Sequence, residues 1–390
     1  MKEIPIDIIG AGIGGLTLAI SLKAKGFTVC IYEKSPVLKH VGAGIILANN
    51  AMQIYKELGL SKEIENRGNI LNAMHITKEG MDTISQMDLE YFKTLYGVDT
   101  VAIHRATLQD ILLNALRDVE IHLGYKLTHI EKNSDAHNVL KFSNGTKVTS
   151  ALVIGADGLY STVRKYLFPT SSIKDAKQIC WRGVTQYELP IKYQDKLYEA
   201  WGKTARFGFV KISNTQVYWY ALKSFTHSAE ECCVGDIEQY FSTFHPQIKA
   251  LLGATPKDTI HTDTIVALNP ITQWYKDNIC LLGDAAHAMT PNMGQGACQS
   301  IEDAYTLAEC LSQEHMQEAF MQYQNIRFKK VSKIAQTSWM IGKLSHVKNS
   351  FLIKLRNFML SMTPTSISRK QSEEIFNLHI TPSSNIKDNK

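Results

Sequence analysis

The chain has 390 residues, 44% of them hydrophobic and 20% charged, which suits a folded protein of two domains and excludes a disordered or fibrous one. No apolar run reaches the ~18 residues of a membrane span. Glycines interrupt the apolar N-terminus where the core of a secretory signal would lie, so a cytoplasmic protein with no stable membrane insertion is expected.

Residues 4–9 read as a buried strand, followed by Gly10, Gly12, Gly14 and Gly15 in a GxGxxG turn. An apolar helix then carries Leu16, Leu18, Ala19, Ile20 and Leu22, and a second strand, 28–32, ends at Glu33 with Lys34 beside it. Each part suits a dinucleotide: glycines for the tight turn, for approach to the pyrophosphate and for helix–strand packing, and an acid for the ribose diol. The helix N-terminus favours the pyrophosphate charge. This pattern leaves NAD and FAD equally open.

Gly42 and Gly44 make a second glycine break, placed where it could lie along the cofactor, and a helix is expected from Ile45 to Gly59. Residues 69–100 read as a small sheet excursion. A helix over 104–116 begins at Arg105, which stands outside the apolar stripe and reads equally as a cofactor contact or a solvated side chain. Short strands fill 119–149, with a hairpin turn at Asn144-Gly145. The next strand ends in Ala156-Asp157-Gly158, and a helix follows. From 178 to 266 the chain turns aromatic with a period of two, which predicts an antiparallel sheet with one helix, 236–252, packed on it. A strand returns to end at Gly283-Asp284, then a loop with Pro291 and Gly294-Gln295-Gly296 opens another helix. The expected organisation is α/β: a Rossmann-like dinucleotide domain (1–177 and 267–325), an inserted antiparallel-sheet substrate domain (178–266), C-terminal helices (326–380) and a disordered tail (381–390). Seven cysteines without a CxxC pair, and histidines without ligand spacing, give no reason to expect a disulfide framework or a metal.

GAGIGG with Glu33, then ADG at 156–158, then GDAAH at 283–287 with PxxGQG, resemble in this order the FAD-dependent aromatic-ring monooxygenases of the p-hydroxybenzoate hydroxylase fold. WRG at 181–183, RFG at 206–208 and VYW at 217–219 are similar to the compact bacterial branch with urate hydroxylases and salicylate hydroxylase-like enzymes. The resemblance implies an FAD-binding domain of the glutathione-reductase type. It implies that Gly10, Gly12, Gly14 and Gly15 hold the pyrophosphate, with Glu33 and Lys34 at the adenosine ribose. Arg105 and Gly44 would lie along FAD, and Asp157-Gly158 matches a motif associated with FAD and NAD(P)H. Gly283-Asp284 would take the ribityl chain, and Pro291, Gly294, Gln295 and Gly296 the flavin ring. Cys298 stands where that family often has Asn, which removes an amide from the flavin loop.

The implied reaction is NAD(P)H-dependent hydroxylation of an aromatic or heteroaromatic small molecule with O2, through flavin C4a, by a monomer or homodimer with no nucleic-acid partner. A flavin reductase or oxidase on the same scaffold, and a non-enzymatic binding protein, are the competing readings. Arg206 and Tyr218 match, in type and spacing, a substrate-site pair of the bacterial urate hydroxylases and are the candidate catalytic residues. A hairpin centred on Asn214 puts both on one face; a one-residue slip separates them. A rim salt bridge for Arg206 and simple packing for Tyr218 are the plain alternatives, and Arg182 is the runner-up. His287 reads as structural or flavin-contacting rather than as a base.

Between Arg327 and Lys370 lie ten Lys or Arg and no Asp or Glu, against a net charge of +5, which leaves the rest of the chain at −5. The segment carries an amphipathic run of Leu344, Val347, Phe351, Leu355, Phe358 and Met362. The favoured expectation is a helix packed on the FAD domain with a solvated basic face; the other is a helix lying on an anionic membrane.

Overall fold

The computed structural model describes residues 5–38, 43–133 and 137–378; the expected break at Gly42 and the tail from 381 lie outside them. A six-stranded sheet is built around Ile6–Ile9. Val29–Glu33 and Leu152–Gly155 flank that strand in parallel, Glu120–Leu123 and Ile279–Leu281 extend the sheet outward, and Tyr275–Lys276 closes one edge antiparallel. Central strands buried on both faces need continuous apolar sequence, and Ile6, Ile8, Ile31, Val153 and Ile154 supply it. The first helix, Ile13–Ala24, is apolar on nearly all sides because it lies between this sheet and the helix Gly296–Gln313.

The aromatic region forms a seven-stranded sheet. Its order is His261–Leu268, Ile173–Gln186, Gln216–Ser224, Ala205–Lys211, Lys196–Trp201, Ala73–Lys78 and Thr83–Asp88. Two expectations change here. The strands at 73–78 and 83–88 complete this sheet rather than forming an excursion of their own, and Ala73–Lys78 pairs parallel to Lys196–Trp201, so the sheet is mixed. Its first strand also begins at Ile173, ahead of 178. One face is an aromatic core, with Trp181, Phe207, Phe209 and Trp219 covered by Phe241, Phe244, Ile248 and Leu251. The covering segment is two helices, Ile237–Tyr240 and Pro246–Gly253, instead of one. Proline lacks an N–H and fits only a first helical turn, so Pro246 restarts the helix, and the His245 side chain accepts from the Gln247 N–H at 3.1 Å.

Gly44–Leu47 is a strand where a helix start is expected; it pairs with Thr100–His104, and the helix begins at Asn49. The hairpin at Asn144-Gly145 forms as expected, with Gly145 at φ +85°. The C-terminal part is helical: Met316–Ser345, Ser350–Ser361 and Thr365–Phe376. The favoured packing of the amphipathic run is overturned. Helix Ser350–Ser361 turns Arg356 inward and leaves Phe351, Leu352, Leu355, Phe358 and Met359 exposed, with Leu344 and Met362 exposed on either side.

Candidate active site

The carboxyl ends of four parallel strands deliver the motif residues to one groove, the place where open α/β sheets bind ligands. Gly10 sits at φ +113°, and a Cβ there would stand 2.4 Å from the Ala156 carbonyl oxygen. A Cβ on Gly15 would meet the Gly10 carbonyl oxygen at 2.1 Å, so these two glycines permit the close backbone approach that shapes the turn. Gly14 faces away from the groove, against Leu282 and Ser300, and serves helix packing. Gly12 faces open space at the first turn of Ile13–Ala24, as a backbone approached by phosphate must. Glu33 accepts from the Ala11 N–H at 2.8 Å and the Ser35 N–H at 2.9 Å, which fixes the carboxylate beside the glycine turn. Each oxygen keeps a lone pair for a ribose hydroxyl. Lys34 next to it is exposed.

Asp157 caps the helix Thr162–Leu167: one oxygen accepts from the Thr162 and Val163 N–H groups at 2.7 and 3.2 Å, while the buried Oδ1 has no protein partner. Desolvation raises its carboxyl above the usual range, against the pull of Ser161 and the helix N–H groups. Gly158, at φ +79°, faces open space, as do Gly294 and Gly296. Arg105 and Asp284 are reachable by water yet set deep among protein atoms, as cleft-lining groups are. Desolvation raises Asp284, with His287 and Arg105 pulling the other way. A row of open glycines, an unpartnered buried carboxylate oxygen and a water-reachable Arg–Asp pair fit FAD.

At two of the expected contacts the side-chain position is turned to protein, which leaves the backbone alone for the groove. Gly44 makes room for a protein side chain, because its missing Cβ would lie 2.4 Å from Cγ of Tyr218. The Gln295 side chain points inward, accepting from Asn50 Nδ2 at 3.1 Å and Gln299 Nε2 at 3.0 Å, so only its backbone can face the groove. Pro291 is exposed at the loop entrance, and buried Cys298 lies 3.6 Å from the Ile46 carbonyl oxygen.

Behind the loop lies a buried ionic cluster absent from the sequence reading. Arg327 donates to Asp303 at 2.8 Å, to Gln299 Oε1 at 2.6 Å and to Glu302 at 2.5 Å, and Lys330 donates to Glu302 at 2.7 Å. His287 Nε2 lies 2.5 Å from Asp303, and its ring packs on Trp274, so the histidine braces the loop from behind. Desolvation alone would raise the Asp303 carboxyl, but His287 and Arg327 outweigh it and hold it at about 2. The Gly283 N–H donates to the same carboxylate, and a Cβ on Gly283 would strike Ser300 Oγ at 2.3 Å.

The second face of the mixed sheet looks toward this groove. Arg206 pairs with Leu222 and Val210 with Tyr218, a register centred on Asn214, so Arg206 and Tyr218 share a face. Cys180, Arg182, Glu199, Trp201 and Tyr220 share it too. Arg206, only 1% exposed, donates to Glu199 Oε1 at 3.1 Å and to Asn292 Oδ1 in the loop between Pro291 and Gly296. Glu199 also accepts from Trp201 Nε1 at 2.6 Å and from the Tyr220 hydroxyl. Glu199 and Asn292 escaped the sequence reading; the alternation of LYEAW would have placed Glu199 on this face only once the register was known. Tyr218 lies within electrostatic reach of Arg105 and Arg182. Burial pushes its phenol above the ordinary range, while the two guanidiniums pull it down. Arg182 is itself paired with Asp263 at 3.1 Å. Among the described residues one trio, Cys30, Glu120 and His122, brings possible metal-binding atoms together, but burial pushes the Cys30 thiol up to about 11, away from the thiolate a metal needs.

A dinucleotide groove joined to a second sheet that faces it defines a flavin-dependent oxidoreductase scaffold. The FAD binding domain family matches residues 3–338. The chain is 35% identical to the aurachin C monooxygenase/isomerase of Stigmatella aurantiaca, over 96% of this chain and 98% of that one. It is 29% identical to the 2-heptyl-3-hydroxy-4(1H)-quinolone synthase of Pseudomonas aeruginosa, over 95% and 97%. The crystal structure of Klebsiella pneumoniae HpxO with FAD and uric acid has the same fold, with a TM-score of 0.87 at 24% identity over 96% of each chain. The chain belongs to the FAD-dependent aromatic monooxygenases.

Proposed function

We propose that this protein hydroxylates a neutral, electron-rich N-heteroaromatic, with NAD(P)H as electron donor and O2 as co-substrate. FAD, when bound, supplies the redox and oxygen-activating chemistry; the chain's part is to bind, orient and keep water out.

The observation that carries the substrate class is the Arg206–Glu199 pair. A urate-type site needs an unpaired positive charge for its anion, but here the guanidinium is already balanced by a carboxylate fixed by Trp201 and Tyr220. An anion entering this face would meet Glu199 as well as Arg206, so the pair favours an uncharged ring. Arg206 still orients, through Asn292, the loop beside the flavin position. The Tyr218 phenol, with no hydrogen-bond partner among the described residues, is free to hold a ring oxygen or N–H. Arg105 and Arg182 beside it favour negative charge on that oxygen as electron density builds in the ring. The relative named for a 2-heptyl quinolone supports the same class.

The test is NAD(P)H consumption by the FAD-loaded protein with 2-alkyl-4-quinolones, urate and salicylate, with product mass read in the same reactions. The expected result is acceleration and gain of one oxygen atom with the neutral quinolones only. Coupled turnover of urate with none of a quinolone would overturn the proposal.

A further inference from the structure

We propose that helix Ser350–Ser361 is an interfacial anchor that docks the protein on the surface of an anionic lipid bilayer, a function beyond the hydroxylation argued above. At about 100° per residue, Phe351, Leu352, Leu355, Phe358 and Met359 fall on one continuous arc, and Met362 continues it. That arc faces solvent: Phe351 is 72% exposed, Phe358 61% and Met362 65%. Met340 and Leu344 on the preceding helix and Ile367 on the following one are exposed large hydrophobics as well. Scattered exposed apolar residues are ordinary, but a contiguous set of aromatic and Met side chains marks an interaction surface.

The outward pose is built in. Asn349 caps the helix, accepting from the Phe351 and Leu352 N–H groups at 2.8 and 3.2 Å. Arg356, about 40° beyond Leu352 at one edge of the arc, is turned to the body: it donates to the Ser345 and Leu344 carbonyls at 3.2 and 3.3 Å, and its guanidinium lies 5.2 Å from the centre of the Trp201 ring. Arg369 reaches Asp88 at 3.4 Å from the next helix. Half-buried Ile353 and Leu360 lie with Arg356 on the side turned to the body, so the larger apolar face of the helix is the one turned outward.

Charge selects the occupant. Lys343, Lys348, Lys354 and Lys370 are all exposed around this patch. The segment from Arg327 to Lys370 holds no acidic residue, in a chain whose remaining charge is negative. Apolar and aromatic side chains on one side with lysines at the margin match the headgroup region of a membrane containing anionic lipid. No helix among the described residues is long and apolar enough to cross a membrane. At ~1.5 Å per residue this one is far shorter than a bilayer core, so it lies in the surface rather than spanning it. The anchor also touches the substrate face: Trp201, under Arg356, donates to Glu199, the partner of Arg206. A lipophilic ring leaving the bilayer would therefore emerge close to the pocket.

The experiment is co-sedimentation of the FAD-loaded protein with vesicles of phosphatidylcholine alone and of phosphatidylcholine with equal phosphatidylglycerol. Two variants accompany it, Phe351→Ser/Phe358→Ser and Lys348→Glu/Lys354→Glu, each checked for bound flavin and an unchanged melting temperature. The expected result is binding to the anionic vesicles, weakened by salt, with a loss of about tenfold or more in either variant. Equal binding by the parent and the serine variant would overturn the proposal. So would a parent that ignores both vesicle types, including the case in which it elutes as a dimer that the serine variant breaks, which would make the face a contact between copies.

Discussion

The pairing of Arg206 with Glu199 gives the sharpest test of how this site chooses substrates. Replacing Glu199 by Gln keeps an acceptor for Trp201 or Tyr220 but removes the charge that neutralises a guanidinium only 1% exposed. Leaving a buried charge unpaired costs about 3–5 kcal/mol, so the variant should melt earlier while still folding. The pocket face should also become cationic. A substrate anion about 7 Å from the guanidinium, at an effective dielectric of about 20, gains roughly 2 kcal/mol, which is about thirtyfold. The measurement is the ratio of kcat/KM for an anionic ring such as urate to that for a neutral 2-alkyl-4-quinolone, in parent and Glu199→Gln protein of equal flavin content. A rise in that ratio of ten- to hundredfold is expected, and it should shrink at high salt only partly, because the pair is buried. An unchanged ratio in a folded, flavin-loaded variant would refute the electrostatic account.

Gly12→Ala should fold normally yet purify without flavin, since its Cβ meets only open space, whereas Gly10→Ala should fail to fold because Ala156 blocks it; flavin absorbance and circular dichroism separate the two. Arg327→Met strips Glu302 and Asp303 of their shared partner and should cost about 3–5 kcal/mol in urea unfolding; a change under 1 kcal/mol would mean the cluster is not structural. Burial and the neighbouring Arg206 lower the ring of His346 to about 3 from an ordinary 6.5. The unfolded chain therefore binds the extra proton across that window, so stability present above pH 6.5 should drain away as pH falls toward 3. His346→Gln should flatten the melting temperature against pH in that range. Of seven cysteines only Cys233 is exposed, so a thiol reagent should titrate about one thiol in the native protein and all seven after denaturation.

The first nucleotide-binding unit was legible because its determinants are local: strand, glycine turn, helix and terminal acid follow one another within residues 4–33. The same holds for Asp157-Gly158 and Gly283-Asp284, each a strand end followed at once by a helix. Pro246 could have divided the covering helix on sequence alone, since proline belongs to a first turn. What stayed hidden depends on partners far along the chain. Gly44 is a glycine because of the Tyr218 ring, and Arg206 is neutralised by a carboxylate on the adjacent strand. The amphipathic pattern of 350–361 announced an apolar face, but its direction depends on Arg356 reaching back to Leu344 and Ser345. The hairpin register was a different case. It depends on a turn centred on Asn214, and the pairing of Arg206 with Leu222 and Val210 with Tyr218 has that turn.

The parallel ladder between Ala73–Lys78 and Lys196–Trp201 bears on how such a protein can be recombined. The mixed sheet is woven from two stretches, Ala73–Asp88 and Ile173–Leu268, with 84 residues between them, so it cannot mature until both have left the ribosome. A chimera that exchanges only residues 178–266 with a relative would leave a foreign strand facing the resident one across that ladder, and would cut Ile173–Gln186 within its length. Grafts meant to move substrate preference should therefore carry 72–88 and 172–268 together, with the 89–171 stretch retained from the recipient.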